Sequence, residues 1–222
     1  METKMVENKK IIIDEQYQNQ RYVYRFFKRA LDVVASGIGL IILSPVFLIV
    51  SLAIKAEDPK GPIFYSQVRL GKGQRPFKMY KFRSMVVDAD KKLEKLLKEN
   101  EVKGAMFKMK EDPRITRVGK FIRKHSLDEL PQLWNVLAGD MTLVGPRPPL
   151  EREVADYSEY DKQRLIVKPG CTGLWQVSGR NNVGFKEMVE LDLKYIRKSD
   201  FWFDSYIILK TFGIIVIPND AY

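Results

Sequence analysis

Two adjacent carboxylates, Asp128 and Glu129, stand just before an apolar, helix-like stretch in a strongly basic chain. They are the first place to look for chemistry, because an ionised carboxylate can act as a nucleophile. A local interpretation is also open, since Ser126 and Glu129 have the spacing of a capping box, in which Ser126 caps the following helix and Glu129 bonds to the cap amide. The two roles are compatible, because a helix N-terminus favours both carboxylates and incoming phosphate.

Composition limits the kinds of site that the chain can build. With 222 residues and 45% apolar content, it is long enough for one compact catalytic or binding unit plus an appendage. Its single cysteine, Cys171, excludes an internal disulfide and multi-cysteine metal sites, and its single histidine, His125, excludes two-histidine motifs. A bound metal would therefore be hard and oxygen-liganded. The net charge of +10 favours nucleic acid, an acidic membrane leaflet or phosphorylated substrates, without choosing among them.

The stretch from Val33 to Ile54 carries no charged residue and is long enough for the roughly 20 residues of a membrane helix. Since basic flanks favour the cytoplasmic side, basic residues at both ends favour a segment that enters the membrane and returns. Ser44-Pro45 lies near the centre, where the missing proline amide predicts a break or a bend. A kinked spanning helix and a re-entrant hairpin both fit these residues. The flanking basic residues are Arg21, Arg25, Lys28 and Arg29 before the stretch, and Lys55, Lys60, Arg69, Lys72 and Arg75 after it.

Local patterns predict the elements around this stretch. Residues 63–70 and 77–83 predict two β-strands, joined by the turn Gly71-Lys72-Gly73-Gln74. Residues 201–217 are aromatic and aliphatic, interrupted by charges, and predict an interfacial helix. Residues 1–20 are polar apart from a short apolar run, so they are interpreted as a tail or a loosely docked strand.

Two loops rich in glycine, proline and arginine have residue types suited to phosphate. Gly145-Pro146-Arg147-Pro148-Pro149 is stiff and fixes the backbone direction of Arg147, and residues 168–181 form a second, glycine-rich loop. Turn formation alone explains many such residues. Small residues also let backbone amides approach phosphate, and arginine offers a planar fork to its oxygens.

Together these residues resemble the bacterial sugar transferases, the monotopic phosphoglycosyl transferases that are also called polyprenyl-phosphate hexose-1-phosphate transferases. Each matching motif is weak alone, and their number and order make the resemblance specific. Larger members carry spanning helices and an extra domain ahead of this unit, so the chain resembles the minimal catalytic core. The motifs are Lys28-Arg29 with Asp32, Ser44-Pro45, Gly61-Pro62-Ile63-Phe64, Lys-Phe-Arg-Ser-Met from Lys81, Asp-Pro-Arg-Ile-Thr-Arg-Val-Gly from Asp112, Ser-Leu-Asp-Glu-Leu-Pro-Gln-Leu-Trp-Asn from Ser126, Val-Gly-Pro-Arg-Pro from Val144, and Gly-Leu-Trp-Gln-Val-Ser-Gly-Arg-Asn from Gly173.

The resemblance implies an α+β, mainly helical, monotopic membrane protein with a re-entrant helical hairpin, a short β-hairpin and interfacial amphipathic helices. Residues 1–20 would be an N-terminal tail, residues 21–60 the re-entrant helix-break-helix, and residues 61–222 a catalytic domain at the cytosolic face. The expected location is the cytoplasmic face of the bacterial inner membrane. The oligomeric state stays open, with a homo-oligomer among the options.

The resemblance also implies a reaction. A hexose 1-phosphate would pass from a UDP-sugar to a polyprenyl phosphate such as undecaprenyl phosphate, with release of UMP, in the first membrane step of polysaccharide or glycoconjugate assembly. The family's nucleophilic aspartate maps to Asp128, and Glu129 would help to hold Mg²⁺. A covalent aspartyl-phosphosugar would divide the transfer into two steps. Membrane lipids are the other expected partner, and nucleic acid is not expected.

Other matched positions supply expected contacts. Arg123 and Arg147 match phosphate-binding positions of the family. Asp192 and Asp204 match late acidic positions, where they either support the site or only pair with a nearby arginine. The motif around Trp175 is similar to that in members that use glucose or galactose. The less specific matches to nucleotide or phosphate contacts are Lys81, Arg83, Gln176 and Arg180.

Two other functions fit parts of the sequence. A membrane-anchored protein could use its basic face to bind nucleic acid or anionic lipid without catalysis, with strongly salt-dependent binding. A soluble-type glycosyltransferase could hold a metal with Asp88-Ala89-Asp90, at the start of an amphipathic helix predicted over residues 88–100, although first-turn acidic residues are common in helices. That enzyme would release a nucleoside diphosphate, whereas a phosphoglycosyl transferase releases the monophosphate.

Overall fold

The structure is a computed structural model that describes residues 11–89, 91, 112–179 and 183–216. Within these ranges the chain is mainly helical and contains a short antiparallel β-hairpin, as predicted. The elements in chain order are α1 (Glu15–Gln20), α2 (Tyr22–Ile42), α3 (Ser44–Glu57), β1 (Phe64–Leu70), β2 (Pro76–Phe82), α4 (Arg117–Lys124), α5 (Gln132–Ala138), β3 (Thr142–Val144), α6 (Glu151–Ala155), α7 (Glu159–Lys162), β4 (Gly170–Thr172), α8 (Leu174–Ser178), α9 (Phe185–Lys198) and α10 (Phe201–Val216).

The long uncharged stretch forms two helices with a break between them. Helix α2 ends at Ile42 and α3 begins at Ser44, so the chain breaks where Ser44-Pro45 predicts it. Pro45 lies in the first turn of α3, where its missing amide removes no intrahelical hydrogen bond. No single helix in the described ranges is long and apolar enough to cross a membrane. Helices α2 and α3 meet both conditions only as a pair, and that pair bends by 58°.

The helix pair presents apolar side chains to its surroundings. Val50 and Ile54 of α3 are buried against Phe82 of β2 and Ile122 of α4. The opposite surface is apolar and exposed, which in a folded protein marks contact with a membrane or another protein. Its side chains, each more than half exposed, are Ile38, Ile41, Ile42, Leu48, Ile49 and Leu52.

The β-hairpin carries the end of β2 to the acidic pair. Strands β1 and β2 pair in the antiparallel register Phe64↔Phe82 to Leu70↔Pro76, and the predicted turn residues join them through a short 3₁₀ turn, Lys72–Gln74. Gly73 has a positive φ of 63°, a conformation that glycine adopts at little cost. Asn135 of α5 then fixes β2 in place, because its side chain accepts from the amide of Tyr80 (3.0 Å) and donates to the carbonyl of Lys78 (2.7 Å).

A second core lies around the last two helices. Leu193 and Ile196 of α9 and Ile207 of α10 are fully buried there, next to the parallel strands β3 and β4. The sequence did not predict this parallel pair, whose strands have three residues each. Ile11 and Ile13 are buried in the same core, so this part of the N-terminal segment docks onto the folded body that follows α3.

Candidate active site

The acidic pair lies on a tight turn that connects two helices. Leu127–Glu129 form one 3₁₀ turn, and α5 begins only at Gln132. Ser126 has a left-handed backbone (φ 55°, ψ 19°), and its side chain makes no capping hydrogen bond. The capping-box prediction is therefore wrong. The physical reason is that Ser126 directly follows the end of α4, with its amide bonded to the carbonyl of Arg123 (3.0 Å), and is followed by a 3₁₀ turn and not by the first turn of α5.

Asp128 is the buried member of the pair, with 9% of its surface exposed. Burial raises the pKa of its carboxyl to about 6, and the negative charge of Glu129 adds to this, while Lys81 and Arg123 oppose it. The group is therefore ionised at neutral pH and more basic than an ordinary aspartate. Both properties suit a carboxylate that attacks phosphorus.

Glu129 faces outward and meets Lys81. The Lys81 Nζ lies 2.5 Å from the Glu129 Oε1, so β2 and the acidic turn, 48 residues apart in sequence, join at one place. Lys81 also lowers the pKa of Asp128. The structure thus brings Lys81, a predicted contact, to both members of the acidic pair.

Arg123 reaches the site from the last turn of α4. The helix is fixed by Thr116, whose side chain accepts a hydrogen bond from the amide of Gly119 (2.9 Å). Arg123 is close enough to lower the pKa of Asp128. Its guanidinium makes no hydrogen bond or ion pair with another described residue. The fork of Arg123 is therefore available to a phosphate beside Asp128.

Arg147 and a second arginine, Arg69, lie where the end of β1 meets the Pro-Arg-Pro loop. Arg147 contacts the buried Glu153 (3.2 Å), and the buried Arg69 donates to the carbonyl of Pro148 (3.1 Å). Burial, and then the charge of Arg147, lower the pKa of Arg69 to about 10, with Glu129 among the groups that oppose this. Arg69 is therefore close enough to both Arg147 and Glu129 to feel their charges.

Sequence reasoning missed Arg69 as a site residue, although the strand pattern contained a signal. Successive side chains of a strand alternate between faces, so Tyr65 and Arg69 of β1 share a face. Tyr65 pairs directly with Lys81 across the hairpin. A strand face that carries Lys81 toward the acidic pair therefore carries Arg69 as well.

The glycines of the two loops serve to pack the loops together. A β-carbon at Gly170 would lie 2.1 Å from the backbone nitrogen of Gly145, and one at Gly173 would lie 2.3 Å from its carbonyl oxygen. The Gly145 amide donates to the carbonyl of Thr172 (2.8 Å), and the Gly170 amide donates to that of Pro146 (2.9 Å). These two amides are used between the loops, so they are not the phosphate donors that the sequence suggested.

In the second loop, the side chain of Gln176 has a hydrogen-bond acceptor without a donor among the described residues. The Oε1 of Gln176 is buried and has no hydrogen-bond partner within the described ranges. A buried acceptor of this kind costs stability unless a ligand or water satisfies it, which supports the predicted contact to donor nucleotide. Arg180, the other predicted contact in this loop, lies outside the described residues.

Arg83 contacts the end of the α2–α3 helix pair. Its Nη1 lies 2.6 Å from the carboxylate of Asp58, just after the end of α3, and a β-carbon at Gly61 would lie 1.7 Å from the same nitrogen. The buried Arg83 therefore ties the end of β2 to the end of the helix pair. In this structure its contacts position elements around the acidic pair, and the cations with the largest influence on the pKa of Asp128 are Lys81 and Arg123.

The two late acidic residues each bind a basic side chain, although the Oδ1 of Asp192 is buried without a hydrogen-bond partner in the described ranges. Asp192 binds the buried Arg164, whose guanidinium also donates to the carbonyl of Arg147 (3.2 Å). Asp204 is buried between Lys28 (2.8 Å) and Tyr195 (2.7 Å). Asp192 supports the loop that carries Arg147, whereas Asp204 ties α2 to α10. The alternative of simple pairing with an arginine thus applies to Asp192, and Asp204 pairs with a lysine.

The site can supply carboxylate oxygens to a hard cation. Among the described residues, no group of three or more His, Cys, Asp or Glu side chains is placed to hold a metal. Mg²⁺ is commonly bound through one or two carboxylates, with the remaining ligands coming from substrate phosphates and water. Asp128 and Glu129 fit that donor set. Asp90 of the rival Asp-x-Asp pattern, with most of its predicted helix, lies outside the described residues.

The site's residues fall within a match to known proteins. A family model described as bacterial sugar transferase matches residues 23–218. Over 202 residues the chain is 48% identical to galactosyl transferase CpsE of Streptococcus agalactiae serotype III (strain NEM316), covering 90% of this chain and 44% of that protein. It is 45% identical to the UDP-galactose-lipid carrier transferase of Erwinia amylovora and 46% identical to the undecaprenyl-phosphate galactose phosphotransferase of Salmonella typhimurium (strain LT2), each over 202 residues, 89% of this chain and 42% of the relative.

The chain therefore spans less than half the length of these curated relatives, and the match covers most of the chain itself. It includes every site residue from Lys81 to Gln176 and the whole of the α2–α3 pair except its first residue. The chain belongs to the bacterial sugar transferase family.

Proposed function

We propose that this chain transfers a hexose 1-phosphate from a UDP-sugar to undecaprenyl phosphate, releasing UMP, through a covalent intermediate on Asp128. The observation that carries the proposal is the state of Asp128: a buried, basic carboxylate beside Lys81 and Arg123, two cations that can receive phosphate. The names of the three relatives support the donor and acceptor classes, and all three specify galactose. UDP-galactose is accordingly the first donor to test.

In the first step, an oxygen of Asp128 attacks the phosphorus that bears the sugar. A new bond forms between that oxygen and phosphorus, and the phosphorus–oxygen bond to the uridine monophosphate group breaks, so UMP leaves with the bridging oxygen. The product is an acyl phosphate that joins Asp128 to the sugar 1-phosphate. The raised pKa of Asp128 makes the carboxylate a better nucleophile while it remains ionised at neutral pH.

In the second step, a phosphate oxygen of undecaprenyl phosphate attacks the same phosphorus. The bond to Asp128 breaks, the carboxylate is restored, and the acceptor carries a diphosphate-linked sugar. Dividing the transfer in this way keeps the two bulky anionic substrates from having to bind together. Ping-pong kinetics are the expected consequence.

The cationic side chains neutralise and orient the phosphates, which is the main task of a protein in phosphoryl transfer. Arg123 stands beside the nucleophile with its fork available. The guanidinium of Arg147 binds the carboxylate of Glu153, and the backbone carbonyl of Arg147 accepts a hydrogen bond from Arg164. These two contacts fix the position of Arg147. Arg69 adds positive charge between the loop of Arg147 and the acidic turn.

Glu129 is the proposed holder of Mg²⁺, an expectation that rests on its carboxylate standing next to Asp128. A bound Mg²⁺ would neutralise diphosphate charge in the transition state. Lys81, which contacts Glu129 in this structure, would supply a further positive charge for a phosphate oxygen of the donor.

The helix pair α2–α3 is proposed to enter the cytoplasmic leaflet of the bacterial inner membrane and return. Both ends of the pair bind the same catalytic body: Lys28 of α2 binds Asp204, and Asp58, which follows α3, binds Arg83. Two ends tied to one body lie on one side of a membrane, which supports a re-entrant hairpin over a spanning helix. Tags at Gln20 and Lys60 should both be labelled from the cytoplasmic side, and labelling from opposite sides would contradict this topology.

A donor panel tests the reaction. Membranes or detergent micelles containing the full chain, undecaprenyl phosphate and individual UDP-sugars should release UMP, with UDP-galactose and UDP-glucose first in the panel. Release of UDP instead would indicate transfer of the sugar without its phosphate, and the proposal would be wrong. Chelation of divalent cations should stop UMP release, and activity that survives chelation would remove the proposed role of Glu129.

A further inference from the structure

A group of cations lies apart from the acidic pair, at the start of α2. Arg25 of α2 donates to the carbonyl of Asn19 (2.8 Å), and Lys72 of the β-hairpin turn donates to the side-chain oxygen of the same residue (2.6 Å). Asn19 therefore brings these two cations together. Arg75 lies in the same turn as Lys72 and is exposed.

A second pair of cations meets one turn further along α2. Arg29 donates to the carbonyls of Val136 (2.6 Å) and Leu137 (2.9 Å) at the end of α5. A β-carbon added at Gly139 would lie 3.4 Å from the Nη2 of Arg29 and 3.6 Å from the Nζ of Lys168. Arg29 and Lys168 are thus close neighbours across Gly139.

Residues four apart share one face of a helix, so Arg25 and Arg29 connect the two pairs. We call Arg25, Arg29, Lys72, Arg75 and Lys168 the cation cluster.

The acids near the cation cluster, Glu15, Asp32 and Asp140, act on its lysines only from a distance. None of its members forms an ion pair with a residue in the described ranges. Of the nearby acids, Asp32 is already bound to the hydroxyl of Thr142 (3.0 Å) and the amide of Leu143 (2.9 Å). Burial and neighbouring cations lower the pKa of both Lys72 and Lys168. Grouped like charges of this kind cost stability, and a bound anion would remove that cost.

The position of the cluster suggests where the anion comes from. Arg29 precedes Val33, the first residue of the uncharged stretch, by four residues of the same helix, about 6 Å at 1.5 Å per residue. Phe26 and Phe27, between the two arginines, are mostly exposed aromatic side chains of the kind found at a membrane interface. The cluster would therefore lie at the depth of lipid head groups if α2 and α3 enter the bilayer.

We propose that the cation cluster binds the phosphate-bearing head group of an anionic bilayer phospholipid such as phosphatidylglycerol. The proposal rests on the membrane insertion of α2 and α3 proposed above. The site is separate from the catalytic cations Lys81 and Arg123, so lipid binding and sugar phosphate transfer can be tested independently. The bound lipid would fix the start of the hairpin against the catalytic body by bridging α2, the β-hairpin turn and the segment before β4.

The test uses the purified full chain in detergent, without a sugar donor, titrated with short-chain phosphatidylglycerol or phosphatidylcholine. The variant is Arg75→Gln with Lys168→Gln, because neither side chain makes a hydrogen bond with a described residue and the fold should survive. Each basic residue near an anionic lipid surface adds favourable free energy to lipid binding. Losing two of them should therefore weaken phosphatidylglycerol binding about thirtyfold. Weak binding of phosphatidylcholine should not change.

A matched double variant, Lys186→Gln with Lys194→Gln, removes the same charge from exposed positions of α9. It should bind phosphatidylglycerol as the unaltered chain does. Equal weakening in both double variants would show a response to net charge alone, and unchanged binding in the cluster variant would show no site there; either result overturns the proposal.

A third outcome concerns the acceptor. If the cluster variant keeps phosphatidylglycerol binding but shows a higher KM for undecaprenyl phosphate, the cluster holds the acceptor phosphate and the proposal is also overturned. Failure of the proposed function looks different, because a chain that binds phosphatidylglycerol at the cluster and releases no UMP would contradict only the reaction.

Discussion

Asp128 and Asp192 are two buried carboxyl groups with similarly raised pKa values. Asp128 is the proposed nucleophile, whereas Asp192 forms a buried ion pair. Their exposed fractions are 9% and 1%, and burial raises the pKa of each to about 6. Asp192 is bound directly to the guanidinium of Arg164, itself fully buried. The carboxylate of Asp128 makes no side-chain hydrogen bond to another described residue, and its nearest cations act on it from a distance. Burial therefore does not separate the proposed nucleophile from the other aspartate, and the difference between them is the directly bound cation at Asp192.

The region around Asp192 is a support for the reactive region. Arg164 donates to the hydroxyl of Tyr157 (3.0 Å) and to the carbonyl of Arg147 (3.2 Å) in addition to binding Asp192. The ion pair thus fixes the backbone of Arg147, a proposed phosphate contact. The comparison predicts that the two aspartates respond in opposite ways to the same substitution.

The largest expected effect is on turnover, from Asp128→Asn. An amide cannot form the acyl phosphate, so UMP release should fall by at least about 10⁴-fold, with little change in thermal stability. Mass spectrometry should detect a phosphosugar adduct on the unaltered chain and none on the variant. Asp156→Asn, at an exposed aspartate, is the matched control and should keep full activity. Normal turnover by Asp128→Asn would remove Asp128 as the nucleophile.

The second effect is on stability, from Asp192→Asn. Removing one partner of a buried ion pair leaves the Arg164 guanidinium without its anion, which typically costs about 3–5 kcal/mol in the free energy of unfolding. Thermal or denaturant unfolding in detergent would measure it against Asp156→Asn. Activity per folded molecule should fall much less than in Asp128→Asn.

The double variant Arg164→Met with Asp192→Leu separates charge from packing. It replaces the buried pair with apolar groups, so it should recover much of the stability that Asp192→Asn loses. A double variant that is no more stable than Asp192→Asn would mean that the bonds to Tyr157 and the Arg147 carbonyl, and not the unpaired charge, set the cost.

The pH dependence of turnover distinguishes the two carboxyl groups even though their pKa values coincide. Asp128 attacks in its ionised form, so kcat/KM should be constant above about pH 6 and fall about tenfold per pH unit below it. Lys81 lowers the pKa of Asp128, so Lys81→Met should move this acidic limb to higher pH. The fall of kcat/KM below about pH 6 should persist in the double variant Arg164→Met with Asp192→Leu. If that fall disappears in the double variant, the titrating group is Asp192.

The sequence predicted those structural features that neighbouring residues determine, and it did not predict those that depend on contacts between distant residues. Proline geometry predicted the helix break at Ser44-Pro45, and turn residues predicted the β-hairpin with its Gly73 turn. The pairing of Arg164 with Asp192 joins residues 28 apart and depends on how α9 packs, which no local pattern contains. The parallel strands β3 and β4 are too short to carry a periodic signal.

In the candidate site, too, local motifs were predicted and contacts between distant elements were not. Motif matching identified Asp128, Glu129 and Arg123, and the structure gathers them with Lys81. The predicted contact Arg83 is bound to Asp58, a consequence of how the helix pair docks. Local reasoning also erred at Ser126, because the spacing of a capping box does not specify which of two helices a serine terminates.

The smallest effect, from Ser126→Gly, tests that correction. Ser126 holds a left-handed backbone, which costs a residue with a β-carbon about 1–2 kcal/mol and costs glycine little. Part of this gain is offset by the greater freedom of glycine in the unfolded chain, so the substitution should raise the free energy of unfolding by less than about 1 kcal/mol. Ser158, which does cap α7 by accepting from the amide of Asp161, provides the comparison. Ser158→Gly should lower stability by a few tenths of a kcal/mol, and a loss in both variants would restore a capping role for Ser126.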